Sequence, residues 1–316
     1  MSARVVVKGL VRAFGETRAV DDLTFSVGEG EVFGLLGHNG AGKTTTVRLV
    51  CGVLERDRGD VTVLGLDPKT DGDRVRARIG VLTETPSHDE RFTAREALVF
   101  FAALHGLSPS ETASRVDELL AFFDLSASAD ARVATFSKGM KQKLAVARAL
   151  LARPEVLFLD EPTSGLDPVS ARKLTDRVAH LARAEGCAVV YTTHRLVEAA
   201  VLCARVAILQ KGRVVVEGAP RDIVARAGVA RPLHLEVDDV ARAHALLAPH
   251  VGDRARIVKE ALIVDDVARD GVPDLLARLV AGGVRVFDAH REEATLEDAY
   301  LALHGHDDDG RAGGAS

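Results

Sequence analysis

The chain has 316 residues, 47% hydrophobic and 28% charged, with a formal net charge of −5; that length buries a sizeable core and predicts about two domains. Aromatic residues make up only 4% and tryptophan is absent, so neither a basic face nor a base-stacking platform for nucleic acid is expected. Cys51, Cys187 and Cys203 are odd in number and widely spaced, which excludes a disulfide framework or zinc cluster in favour of reduced thiols, and no apolar run approaches the ~20 residues of a membrane span, residues 97–104 coming nearest.

No signal segment opens the chain, and the expectation is a protein that does not itself cross a membrane. Residues 5–10 and 23–27 read as antiparallel strands, and the apolar run 32–36 as a buried strand. That strand runs straight into Gly37-His38-Asn39-Gly40-Ala41-Gly42-Lys43-Thr44, followed by Thr45 and a helix-compatible stretch. The pattern G-x-x-x-x-G-K-[ST] between strand and helix is a cradle for nucleotide phosphates. Its glycines let successive N–H groups and the helix N-terminus point at an anion. Lys43 is placed for the β- and γ-phosphates and the Thr44 hydroxyl for Mg²⁺.

Residues 79–84, Ile-Gly-Val-Leu-Thr-Glu, form the next strand and end in Glu84. Three helices follow at 95–105, 111–123 and 137–151, the apolar stripe Val116, Leu119, Leu120, Phe123 marking a buried face. Residues 156–159 are a continuous apolar run ending in Asp160 and Glu161, the pattern of a parallel strand covered on both faces. Ligands in such sheets sit beyond the carboxyl ends of the strands. Asp160 is therefore expected to hold Mg²⁺ through its water shell, and Glu161 to orient or deprotonate an attacking water. A helix at 169–184, a strand at 188–193 ending at His194, and strands at 206–209 and 214–217 around the turn Lys211-Gly212 complete the first domain.

Between and after the two acidic and phosphate motifs lie Phe136-Ser137-Lys138-Gly139-Met140-Lys141-Gln142, Ser164-Gly165-Leu166-Asp167 and His194. Their order resembles that of ATP-binding-cassette (ABC) ATPases over residues 1 to about 220: a signature segment usually written Leu-Ser-Gly-Gly-Gln, a D-loop and a switch histidine. The resemblance implies an α/β P-loop NTPase with an antiparallel β-subdomain and a helical insertion at about 87–153. It also implies two nucleotide-binding domains packed head to tail, with each ATP held between the phosphate loop of one and the signature of the other. Ser137 and the Gly139 amide would then face the γ-phosphate of the opposite subunit, His194 would contact it from the side of Lys43, and Asp167 would couple the two sites. Lys138 and Met140 depart from the usual signature, and Glu84 stands where the family places a hinge glutamine. A carboxylate there is still an oxygen ligand for Mg²⁺ but cannot donate a hydrogen bond; the alternative is a hinge-surface role alone. Phe14 occupies the place of the family's adenine-stacking aromatic, with core packing as the alternative. No Asn-Lys-x-Asp purine code is present.

These features resemble the bacterial drug, sodium and antibiotic efflux branch. The resemblance implies ATP and Mg²⁺ as cofactors, a homodimer or paired ABC subunit, a separate transmembrane permease, no nucleic-acid partner, and a cytoplasmic protein peripheral on the inner face of the membrane. The competing class is a soluble ABC ATPase acting on nucleic acid, ribosomes or protein, for which long heptads, tandem cassettes or a basic arm would speak; the sequence has none.

Charge places the domain boundary. Residues 223–316 carry 11 Lys+Arg against 17 Asp+Glu, whereas residues 1–222 carry 30 against 29. The expected division is 1–222 for the ATPase domain, 223–304 for an accessory domain and 305–316 for a disordered tail. Strand and helix patterns in 232–289 follow the order β-α-β-β-α-β, which predicts a small ferredoxin-like α+β domain closed by a helix at 296–303. Dimer stabilisation, regulation and simple packing are all compatible with it. The His304-Gly305-His306-Asp307-Asp308-Asp309 run is read as a solvated tail rather than a metal site.

Overall fold

Alternating apolar residues pair the first two strands, β1 (Ala3–Phe14) and β2 (Thr17–Gly28), as an antiparallel hairpin in which Val5, Val7, Leu10, Leu23, Phe25 and Val27 are buried. Both strands run further than their apolar segments, because charged Lys8 and Arg12 sit in the ladder at register shifts rather than ending it. The computed structural model describes residues 2–229 and 231–308. After β2 come the wholly buried β3 (Val32–Leu36), the helix α1 (Lys43–Val50) and β4 (Arg58–Val63), which pairs with β1 to give a three-stranded sheet in the order β2-β1-β4. Phe25 of β2 stacks on Phe33 of β3 with centroids 5.2 Å apart, joining this sheet to the central one.

A short helix, α2 (Gly72–Arg76), leads to β5 (Ile79–Leu82) and then to the helices α3 (Ala94–Leu104), α4 (Pro109–Phe122) and α5 (Lys138–Ala149). Capping boxes start two of them, Thr93 with Glu96 and Ser108 with Glu111, and Pro109 follows the second at a position where no N–H is needed. The buried Arg115 of α4 donates to the carbonyls of Leu150 and Leu151 at the end of α5, at 2.7 and 3.3 Å. These carbonyls have no partner within the helix, so the guanidinium fastens α4 to α5.

The chain then returns to the central sheet with β6 (Val156–Asp160), α6 (Pro168–Glu185), β7 (Ala188–Thr193), α7 (Leu196–Leu202), β8 (Arg205–Gln210) and β9 (Arg213–Gly218). The strand order is β5-β6-β7-β3-β8-β9, parallel throughout except for the last antiparallel pair. All three cysteines are buried and free, and burial pushes the Cys187 and Cys203 thiols up to about 12.

The chain divides into two units, Met1–Pro220 and Arg221–Ser316. The second begins within the helix α8 (Pro220–Arg226) and continues through β10 (Leu233–Val237), α9 (Val240–Val251), β11 (Ala255–Val258), β12 (Ala261–Val264), α10 (Val272–Ala281), β13 (Val286–Arg291) and α11 (Leu296–Asp308). Its antiparallel sheet runs β11-β12-β10-β13, a split β-α-β arrangement. Leu233, Leu235, Leu262 and Val264 pack with Ala243, Leu247 and Leu279 of the two helices. Thr295 and Asp298 cap α11, and Leu296 and Ala299 bury one side of it. A helix nucleated in this way propagates at little cost per residue, and it covers residues 305–308, where a disordered tail is expected from composition. The remainder of that tail, 309–316, and the side chains of the His304–Asp309 run lie outside the described residues.

Candidate functional site

The phosphate-loop motif lies where β3 ends, with Leu36 in register with Thr193 of β7. Gly42 is the N-cap of α1 and has φ 107°; a Cβ there would stand 2.4 Å from the Ala19 carbonyl oxygen. Only glycine fits both the conformation and the space. The turn between β8 and β9 holds the loop from another side, the Gly212 amide donating to Ala41 O at 3.0 Å. No side chain caps α1 and no acidic residue lies in its first turn. Its leading amides, those of Lys43, Thr44 and Thr45, therefore keep their positive end free for an external anion.

Lys43 is buried, with Nζ donating to Gly37 O at 2.7 Å and His38 O at 3.2 Å and lying 3.9 Å from Glu161 Oε1. Burial draws its pKa below the usual lysine value, while the charges of Glu161, Asp160 and Glu84 oppose that shift. Asp160 closes β6, and its Oδ1 accepts from the Thr192 hydroxyl on the adjacent strand. Glu161 follows with φ 51°, rare for a residue with a side chain, and its Oε1 lies 2.9 Å from His194 Nδ1. Thr44 Oγ1 donates to Glu84 Oε2 at 3.4 Å, so the odd carboxylate does reach the end of the phosphate loop.

A cleft of about 410 Å³ runs through these groups, lined by Phe14, Gly40, Lys43, Thr44, Glu84 and Glu161 among others. Asn39, Gly42 and Thr45 also line it; Gly37 and Ala41 are buried beneath the loop, and His38 is exposed, its Nδ1 2.7 Å from Asn39 O. Phe14 is 50% exposed, with the Arg12 guanidinium 4.9 Å from its ring centroid. The core-packing alternative for Phe14 does not fit this exposure: β1 carries the ring to the rim of the cleft, beyond the hydrophobic interior.

Ser137, Gly139 and Asp167 do not line this cleft. Ser137 is exposed and caps α5, its oxygen accepting from Met140 N at 3.2 Å, which leaves the hydroxyl hydrogen available to an external acceptor. A Cβ on Gly139 would stand 3.2 Å from Gly165 O, so signature and D-loop approach closely within the chain. Asp167 is exposed and caps α6, accepting from the amides of Val169 and Ser170 at 3.0 Å.

Sequence reasoning assigned no role to three polar residues beside these groups. Thr192 fixes Asp160. Glu198 accepts from Thr163 Oγ1 at 2.8 Å and Tyr191 OH at 3.1 Å, tying α7 to β7 and to the segment after Glu161. Gln142, 5% exposed, directs Nε2 at the carbonyls of Pro162 and Glu161. The available signal was polarity inside an apolar pattern, since Thr192 lies in a wholly buried strand and Gln142 faces inward on α5.

The donor set fits a nucleotide and a hard cation. Uncapped helix amides and one buried ammonium suit phosphate. Thr44, Asp160 and Glu84 offer oxygen only, and among the described residues no three His, Cys, Asp or Glu side chains form a metal cage of their own. Mg²⁺ is bound in that manner, through one or two carboxylates together with substrate phosphates and water.

Known proteins point the same way. Residues 20–164 match the ABC transporter family. The chain is 37% identical over 298 residues to the Nod factor export ATP-binding protein I of Burkholderia thailandensis, covering 94% of this chain and 95% of that one. It is also 37% identical over 316 residues to the daunorubicin/doxorubicin resistance ATP-binding protein DrrA of Streptomyces peucetius, covering 98% and 94%. A solved ATP binding subunit of an ABC transporter superposes with a TM-score of 0.67 at 35% identity, over 71% of this chain and 93% of that one. Phosphate loop, acidic strand end and these full-length likenesses together establish that the chain belongs to the ATP-binding proteins of the ABC transporter family.

Proposed function

We propose that this chain is the ATP-hydrolysing motor subunit of an exporter, working as a homodimer, or paired with a similar subunit, on a separate transmembrane permease at the inner face of the cell membrane. The observation that carries the reading is the division of one site between two faces. The cleft holds Lys43, Thr44 and Glu161, while the exposed Ser137 and Asp167 and the half-buried Gly139 lie outside it. A second copy packed head to tail supplies the missing half to each cleft. The relatives with export and resistance in their names support the direction of transport.

Bound ATP supplies the phosphoanhydride to be cleaved and Mg²⁺ offsets its charge. Lys43 exchanges the carbonyls of Gly37 and His38 for phosphate oxygens, and the loop amides from Gly37 to Thr45 wrap them. Thr44, and Asp160 through the cation's water shell, would hold Mg²⁺, with Glu84 as a further oxygen donor. Phe14 offers its exposed ring to the base. Glu161 takes the proton of the attacking water, and His194, touching Glu161, orients against the terminal phosphate. Ser137 and the Gly139 amide close over it from the other subunit, and Asp167 links the two sites.

For the permease, α3 presents Val99, Phe100 and Leu104 with exposures of 43%, 47% and 67%, next to the loop 84–92. An apolar face of this kind suits a short amphipathic helix from a membrane partner. None of the described helices is long and apolar enough to cross a membrane, and this reading assigns the span to a separate permease chain. The test is fractionation with and without the co-expressed permease, using Arg91→Glu, since Arg91 is exposed and pairs with the neighbouring Asp89. Membrane recruitment lost in Arg91→Glu with ATP binding intact supports the reading. A protein found on ribosomes or nucleic acid and indifferent to the membrane chain overturns it.

A further inference from the structure

The geometry points to Gln142 as a positioning residue that ties the signature helix to the backbone of Glu161 in the same chain. This rests on the reading of Glu161 as general base. Gln142 lies on α5, five positions beyond the cap Ser137, and is buried while the start of the helix is exposed. Its Nε2 donates to Pro162 O at 2.9 Å and lies 3.4 Å from Glu161 O. Both partners are carbonyl oxygens, so only the NH₂ end of the amide can serve them.

The peptide it holds is under conformational constraint. Glu161 has φ 51°, a left-handed conformation that a side-chain-bearing residue keeps only where its surroundings fix it. On the amide side, Glu161 N donates to Thr192 O at 3.1 Å. On the carbonyl side, Ser164 N donates to Glu161 O at 3.1 Å, closing a local turn. Gln142 reaches the carbonyls of this turn from α5, while Glu198 of α7 holds only the Thr163 side chain, and Pro162 has no N–H with which to anchor itself. The carboxylate direction of Glu161 is thus set partly from α5.

A helix moves as a rigid body over one or two turns, and Ser137 and Gln142 are only about 7–8 Å apart along the axis at 1.5 Å per residue. A displacement of the α5 N-terminus therefore displaces the Gln142 amide, and with it the peptide that aims Glu161. The end of α5 that serves one nucleotide and the acid that serves the other are linked by a single side chain.

The test uses Gln142→Met in the full-length chain, which keeps length and apolar volume but removes the donors, with Gln142→Asn as a shorter amide should Met fail to fold. ATP turnover, half-saturation by ATP and melting temperature are measured, alone and combined with Glu161→Gln. A misaimed base predicts kcat lower by about 10-fold, within the ~10² that a 1 Å misplacement produces, with half-saturation unchanged and no further loss when combined with Glu161→Gln. A kcat within twofold of the parent in a folded variant, a parallel rise in half-saturation, or losses that multiply with Glu161→Gln overturns the assignment. Should Glu161→Gln alone retain turnover, the base reading fails instead, whatever Gln142→Met does.

Discussion

His194 meets Glu161 through a 2.9 Å contact between Nδ1 and Oε1, joining the exposed end of β7 to a buried carboxylate one strand away. The contact holds the acid facing the cleft while leaving the other imidazole nitrogen outward. Replacing Glu161 by Gln preserves an oxygen that can accept from His194 but removes the base. Turnover should fall by about 10²–10⁴, with ATP binding kept and a closed dimer accumulating. Steady-state ATPase rates, nucleotide binding and size-exclusion with ATP check all three; near-parent turnover would remove Glu161 from its role.

Glu84 lies 3.4 Å from the Thr44 hydroxyl, close enough to share a hydrated cation. Glu84→Ala should raise the Mg²⁺ concentration for half-maximal activity, and Glu84→Gln, which keeps one acceptor oxygen, should raise it less. A Mg²⁺ titration unchanged in both variants assigns Glu84 to the hinge surface alone.

Phe14 is half exposed at the rim of the cleft, so its removal leaves the core intact. Stacking on a base is worth about 1–3 kcal/mol. Phe14→Ala should weaken ATP binding by roughly 30-fold at the middle of that range, and Phe14→Tyr should restore it, with the melting temperature near the parent value. Equal affinities for ATP and inorganic triphosphate in the parent would mean the ring does not touch the base.

His88 gives the protein an acid-sensitive point. Burial depresses its pKa below 6.5, and the nearby charges of Arg148 and Lys141 act in the same direction, against Glu90 and a backbone hydrogen bond at Lys141; its Nε2 is buried without a partner. The unfolded chain therefore binds the proton first. Stability contributed by this group is complete above pH 6.5 and is lost as pH falls from there through the folded-state value. The melting temperature of the parent should drop more steeply below about pH 6.5 than that of His88→Gln. Parallel curves would mean that His88 is free to protonate in the fold.

The phosphate loop and the acidic strand end were legible because each is written in consecutive residues whose backbone geometry is local. The helices were legible from apolar spacing, the stripe Val116, Leu119, Leu120 and Phe123, while their caps, Thr93 with Glu96 and Ser108 with Glu111, start them one and two residues earlier than that spacing suggests. Thr192, Gln142 and Glu198 were not, since each acts on a partner brought near only by tertiary folding. Phe14 was ambiguous for the same reason: an aromatic at the end of a strand reads alike whether the strand stops at the core or overshoots it. The extended limits of β1 and β2 were missed because register shifts admit charged residues into a ladder that hydrophobic alternation alone would end.

The strand that carries the phosphate loop lies between β7 and β8, both of which are translated long after it. A nascent chain that has emerged only as far as the helical insertion therefore exposes the apolar residues Val32, Phe33, Leu35 and Leu36 with no neighbour to pair them. Such non-local parallel pairing closes slowly and leaves hydrophobic strands open to association in the meantime. Truncation before Val206 would leave β3 paired with β7 on one side and open along the edge that β8 covers. Nucleotide, which stabilises only the state that binds it, gives no help to such a fragment, and quality control in the cell falls to whatever shields that strand until β8 arrives.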